Sequence, residues 1–247
     1  MLAPFAPSGT PMPASSPTMV CGFAPAALRP SEYTAALIQV LRARAAWVQG
    51  ANVLEIGSGS GVVLAALGAL GAASLCGIDI ESDAVISGAL LLRELGHGDN
   101  AKIHHGDMWR PVAGRRFDLI AANLPQFPMQ ACEITGRRPS WSSGGTTGRT
   151  LLDRFFQGLA AHLAVGGRAV ITHNGFVDLA RSRSMVEANG LSLRIAATVL
   201  VHIAEEKLDV MTESVLSDEE GRSICRFGPY AFGEMHIVEI GSAASIL

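Results

Sequence analysis

NVLEIGSGSG, residues 52–61, decides the fold. Asn52 to Ile56 is a short strand-forming run, and Gly57, Gly59 and Gly61 lead from it into the apolar stretch GVVLAALGALG. A strand that turns through glycines into a helix opens a βαβ unit, and a turn without Cβ atoms lets the main chain approach a ligand closely. Downstream, SLCGIDI, AKIHHGD, FDLIAANLP and GRAVITHN read as strands. AVISGALLLREL, LLDRFFQGLAAHLA and FVDLARSRSMVEANG alternate with them as helices. LSLRIAATVLVHI and GEMHIVEIG follow as further strands, separated by a polar segment, 205–232, read as lacking sheet structure. Such alternation predicts an α/β, Rossmann-like doubly wound sheet of seven strands, the last one antiparallel.

Upstream of residue 52, Arg29-Pro30-Ser31-Glu32 reads as a helix start with Ser31 as N-cap, followed by Leu37, Val40, Leu41 and Val48 at helical spacing. Residues before about 25 are rich in Pro, Ala, Ser and Gly, which predicts a flexible arm over 1–27 ahead of one domain over 28–247.

The acidic residues at the strand ends narrow the ligand. Gly57, Ser58, Gly59, Ser60 and Gly61 space their glycines as G-x-G-x-G, with Val62 where a dinucleotide reader would carry its third glycine. Glu55, two residues before the first glycine, would repel a pyrophosphate but suits an ammonium. S-adenosyl-L-methionine has that ammonium and no phosphate, and is the expected cofactor. An ordinary tight turn with a solvated Glu55 is the alternative. Asp79, ending its strand before Ile80, is placed to accept from ribose hydroxyls. Asp107 is placed to accept from an adenine amino group and Met108 to lie against the ring, while a plain Asx-turn is the other reading of Asp107.

The chain as a whole sets limits. Of its 247 residues 49% are hydrophobic and 17% charged, ample for a large core. A net charge of -3, with only Lys102 and Lys207 as lysines, disfavours a nucleic-acid partner, and Arg115-Arg116 and Arg137-Arg138 read as solvated loop charge. Cys21, Cys76, Cys132 and Cys225 are scattered and read as reduced packing residues, with no metal site. The adjacent His104 and His105 should point to opposite faces of a strand. No stretch is apolar enough for a membrane span and no signal peptide is evident, so the expected location is the cytoplasm.

The E-x-G-x-G-x-G, I-D and G-D series over residues 52–108 resembles the class I S-adenosylmethionine-dependent methyltransferases. Asn123-Leu124-Pro125-Gln126, ending the fourth strand, resembles the Asn-Pro-Pro-Tyr signature of amino-directed members, and the layout is most similar to the release-factor glutamine methyltransferases (HemK type). Ser143-Gly144-Gly145-Thr146-Thr147-Gly148 resembles the glycine-rich segment of those enzymes, and Arg29-Pro30 their helix entry. The resemblance implies that the Asn123 side-chain oxygen and the Leu124 carbonyl orient the acceptor nitrogen, with Pro125 fixing the turn. Gln126 departs from the family, standing where an aromatic ring usually stacks on the acceptor. Phe127, Trp141 and Phe5 are candidates for a replacement ring. Pro-Gln at this point also resembles the plant methionine S-methyltransferases, and the 30 or so residues before the core do not resemble the helical domain of the release-factor enzymes.

Gln126 can hydrogen-bond but cannot stack, and this favours a small polar acceptor: an amine, amide or thioether metabolite. A protein glutamine or a nucleic-acid amine is the alternative, and a non-catalytic S-adenosylmethionine-binding protein is the alternative of another class. An NAD-dependent oxidoreductase is disfavoured by Glu55. Oligomeric state is not readable from the sequence.

Overall fold

The computed structural model describes residues 29–130 and 141–246. Phe5, Cys21, Cys132, Arg137-Arg138 and the arm over 1–27 lie outside the described residues. The chain opens with helices α1 (Glu32–Ala43) and α2 (Ala45–Val48), which bury Leu37, Leu41 and Val48 as their spacing predicts. There follow β1 (Asn52–Ile56), α3 (Val62–Ala69), β2 (Ser74–Asp79), α4 (Ser82–Glu94), β3 (Ala101–His105) and β4 (Phe117–Ala122). Beyond these come α5 (Thr150–His162), β5 (Leu163–Asn174), α6 (Leu179–Glu187), β6 (Ser192–Ile203), α7 (Glu205–Leu208), α8 (Glu213–Glu219), β7 (Ile224–Phe227), β8 (Tyr230–Gly241) and α9 (Ala243–Ile246).

The sheet runs β3-β2-β1-β4-β5-β8-β6, with β7 paired to β8. Strands β1 to β5 are parallel, and β8 lies antiparallel between β5 and β6. Alternate residues of the central strands supply two cores. Val53, Leu119 and Ala121 pack with Leu37, Leu41, Leu64 and Leu67 on the α1/α3 face. Leu54, Ile56 and Ile120 pack with Phe155, Phe156 and Leu159 on the α5 face. Burial on both faces explains why these strands read as continuous apolar runs rather than as alternating ones. The chain steps outward from β1 to β2 and β3 and then returns past β1 to β4, so the strand order reverses between β1 and β4 and a crevice opens at their carboxyl ends.

Two sequence expectations change. The polar segment after β6 contributes α7, α8 and an eighth strand, β7, and the final strand begins at Tyr230 rather than Gly233. β7 is only four residues long and half of it is exposed, so it carries no apolar period to betray it. It pairs with the part of β8 that runs past β5, Ile224 lying opposite Gly233.

His105 is exposed and donates from Nε2 to the Ile80 carbonyl at 3.0 Å, whereas His104 is half-buried. Cys76 and Cys225 are free thiols, and Arg115 and Arg116 are exposed. No helix among the described residues is long and apolar enough to cross a membrane.

Candidate active site

A cleft of about 240 Å³ lies in the crevice beyond β1 and β4. Its walls bring together Glu55, Gly57, Ser58, Gly59, Asp79, Ile80, Asp107, Met108, Asn123, Leu124 and Pro125 from four separate stretches of chain. Gly61 and Gln126, also expected there, do not line it.

The glycine turn is left-handed at Gly57 (φ 73°), Gly59 (φ 50°) and Gly61 (φ 77°). Gly61 serves packing: a Cβ there would sit 2.9 Å from Gly88 Cα, where α3 meets α4. Gly59 faces open space and donates its N–H to Asp79 Oδ2 at 2.8 Å, while Asp79 Oδ1 accepts from Glu81 N at 2.9 Å. Burial raises the Asp79 carboxyl above its ordinary range, and these backbone hydrogen bonds oppose the shift.

Glu55 is 2% exposed, and its Oε2 has no hydrogen-bond partner. Burial pushes its pKa well above the ordinary carboxylate value, and the nearby Asp79 adds to the rise. A buried carboxylate with an unused oxygen beside a cleft fits a ligand ammonium, which would restore its charged form.

Asp107 is ion-paired with Arg154 of α5 at 2.6 Å, so its carboxylate is already committed on one side. Met108 is the one non-glycine residue with positive φ (49°) among those described, a backbone held off its usual basin at the cleft wall. Trp109, behind it, stacks on His162 and donates to the Arg154 carbonyl. Among the described residues no group of three or more His, Cys, Asp or Glu is placed to hold a metal ion.

After Ala122 the main chain leaves the β4–β5 ladder to form the turn Asn123-Leu124-Pro125. Asn123 Oδ1 accepts from Thr172 Oγ1 at 2.9 Å, and Asn123 Nδ2 lies 3.4 Å from Thr34 Oγ1. Gln126 then turns inward and is 4% exposed. Its Nε2 donates to the Thr172 carbonyl at 2.9 Å and its Oε1 accepts from Asn174 N at 2.7 Å. This is the bonding pattern of one more rung of a parallel ladder, made by a side chain. Gln126 therefore does not offer its amide to an acceptor, which removes the ground for preferring a small polar one.

Phe127 also faces inward, edge-on to Phe176. Trp141 does line the cleft. The glycine-rich segment lies alongside this turn, with Phe127 N donating to Ser142 O and Gly144 N to Phe127 O. A Cβ on Gly144 would come within 2.7 Å of Gln126 Cα, so the close approach requires glycine.

The sequence reading missed three contributors. Ser31 and Thr34 reach the cleft from α1, which also brings Arg29 and Pro30 to its rim. Only the tertiary placement of that helix, not its local pattern, reveals this. Thr172 sits unseen within an apolar strand, 1% exposed.

Comparison with known proteins identifies the family. Residues 32–128 match the family described as ribosomal protein L11 methyltransferase. The chain is 30% identical over 161 residues to a putative protein N5-glutamine methyltransferase of Methanocaldococcus jannaschii, covering 64% of this chain and 79% of that one. It is 26% identical over 152 residues to a release factor glutamine methyltransferase of Gloeobacter violaceus, spanning 58% of this chain and about half (52%) of that relative. In fold it is similar to the YcgJ protein of Bacillus, with a TM-score of 0.60 at 13% identity over 84% of this chain and 98% of that one. The chain belongs to the family of the archaeal relative, the class I S-adenosylmethionine-dependent methyltransferases. Its cofactor is S-adenosylmethionine.

Proposed function

We propose that the protein methylates the side-chain amide nitrogen of a glutamine presented by a protein partner. The observation that carries this reading is the half-buried Asn123 at the cleft wall, its amide held from both ends by Thr172 and Thr34. The names of the relatives from Methanocaldococcus jannaschii and Gloeobacter violaceus support the acceptor class.

When bound, S-adenosylmethionine supplies a methyl group on a positively charged sulfur. The chain's own residues hold and orient. Glu55 receives the ammonium of the amino-acid end, and Asp79 the ribose hydroxyls. Ile80, Met108 and Asp107 border the base, with Arg154 holding the Asp107 carboxylate in place. Gly57, Ser58 and Gly59 bring main chain against the ligand. An amide nitrogen is a poor nucleophile because its lone pair is delocalised. Accepting its two hydrogens on Asn123 Oδ1 and the Leu124 carbonyl favours the pyramidal, attacking form and fixes the line of approach. Pro125 rigidifies the turn that carries this carbonyl. Trp141 offers the flat apolar wall that Gln126 and Phe127, both turned inward, do not.

Radiolabelled methyl transfer in a cell extract tests the reading. Label is expected in protein, recovered as N5-methylglutamine after complete enzymatic digestion. Label confined to the low-molecular-weight fraction would replace this reading with a small-metabolite acceptor, and label in nucleic acid with a base amine.

A further inference from the structure

The hydrogen bonds around Gln126 have one consistent direction, and they decide which end of the Asn123 amide meets the acceptor. The Thr172 carbonyl can only accept and Asn174 N–H can only donate, so the Gln126 amide has its nitrogen on Thr172 and its oxygen on Asn174, at 2.9 and 2.7 Å. The same Nε2 lies 3.2 Å from Thr172 Oγ1 and has only hydrogens to offer it. The hydroxyl therefore accepts there, and its single proton is left for Asn123, 2.9 Å away. Asn123 must answer with its oxygen. Its nitrogen then falls on the side of Thr34, whose Oγ1 is 3.4 Å away.

We propose that Thr172 is a positioning residue for methyl transfer: its hydroxyl, polarised by Gln126, locks the Asn123 amide oxygen-first so that Asn123 accepts from, rather than donates to, the acceptor. Thr172 is 1% exposed and does not line the cleft itself. An amide oxygen has two lone pairs, so the bond from Thr172 leaves one for an N–H of the acceptor. Turned round, the amide would set an NH2 group against that N–H and a second donor against the Thr172 proton. The fourth residue of the turn thus acts on the first through a residue of the neighbouring strand. The inference rests on the amide-acceptor reading above for its functional half, and on the hydrogen-bond polarity alone for its structural half.

The test compares Thr172→Val, which keeps the shape and removes the hydroxyl, with Thr172→Ser, which keeps the hydroxyl. Two readouts are used: single-turnover methyl transfer to a glutamine-bearing protein fraction, and hydrogen exchange of the Asn123 side-chain amide followed by NMR. Thr172→Val is expected to lower transfer about tenfold or more and to speed Asn123 exchange by a similar factor, while S-adenosylhomocysteine affinity stays within about twofold. Thr172→Ser is expected to behave as the wild type in all three. Wild-type transfer and exchange in Thr172→Val, or equal impairment in Thr172→Ser, would overturn the proposal. A wild-type protein that methylates no amide at all overturns the acceptor reading instead. The exchange comparison still decides the role of Thr172 in that case.

Discussion

Asp79 Oδ2 accepts the backbone N–H of Gly59 at 2.8 Å, so the carboxylate that ends β2 also shapes the glycine turn after β1. With Asp79 proposed to take the ribose hydroxyls, ligand contact and loop order should be coupled at one residue. Asp79→Ala should weaken S-adenosylhomocysteine binding by about 1.5–3 kcal/mol, the range for hydrogen bonds to a charged group. NAD should not bind. Calorimetry giving the variant an affinity within twofold of wild type would remove Asp79 from the cofactor shell.

Glu55, proposed to receive the cofactor ammonium, should make cofactor binding pH-dependent. Burial lifts its carboxyl well above the ordinary 4.5, with Asp79 contributing and a hydrogen bond from the Leu64 backbone opposing. The folded chain then holds a proton that the unfolded chain has released. Stability from this group is present at low pH and falls as pH rises from 4.5 through the raised value. An ammonium beside Glu55 needs the carboxylate, so binding should expel the proton and tighten with pH across that same window. Titrations in buffers of different ionisation enthalpy should detect the released proton, and Glu55→Gln should abolish it while weakening affinity about tenfold or more. A variant that binds like wild type, with no linked proton in either protein, contradicts this assignment.

Asn123→Ala separates acceptor from cofactor. Asn123 meets Thr172 and Thr34, both outside the glycine turn. Turnover should fall at least tenfold while S-adenosylhomocysteine affinity remains nearly unchanged. Equal losses in both measurements would move Asn123 into the cofactor shell.

His173 sets an acid limit on stability. It is fully buried, bonded to Ser182 Oγ at 2.8 Å, and its pKa falls from 6.5 to about 4 because burial disfavours the charged ring, with Arg149 adding to the effect. The unfolded chain takes up a proton that the folded chain refuses, so this contribution is complete above pH 6.5 and is lost as pH falls toward 4. The change amounts to about 3 kcal/mol. His173→Gln should flatten the acid side of the denaturation profile by roughly one proton's slope, and His236, also lowered by burial, should retain part of what remains. An unchanged slope would show that another group governs acid unfolding.

The parts of this protein legible in sequence are those where local pattern and function coincide. The Gly57–Ser60 part of the glycine turn, the acidic strand ends at Glu55 and Asp79, and the Asn123–Pro125 turn all reach one cleft because each sits at the end of a parallel strand. Gln126 was misleading for a physical reason. Sequence shows that a residue follows a turn, but not whether its side chain points into the cleft or back to the sheet. Thr172 is illegible in principle, since a buried threonine in a β-branched strand looks like packing. Thr34 belongs to the site only because α1 lies across the sheet, a contact between residues 89 positions apart. Asp107 and Arg154 meet across 47 positions, so their pairing had no local signal.

The Gln126 rung bears on any attempt to re-engineer acceptor choice. Opening a cleft between adjacent parallel strands ordinarily leaves one strand's backbone facing it unpaired. Here a glutamine serves as a strand one residue long, closing the gap from behind. Restoring the aromatic that the signature usually carries, by Gln126→Tyr, would strand the Thr172 carbonyl and the Asn174 amide in the interior, at about 1–3 kcal/mol for each group left unsatisfied. The position is thus scaffold rather than pocket. Redesign belongs at Trp141, Leu151 and the α1 residues that face the cleft, where side chains can change without unpicking the sheet.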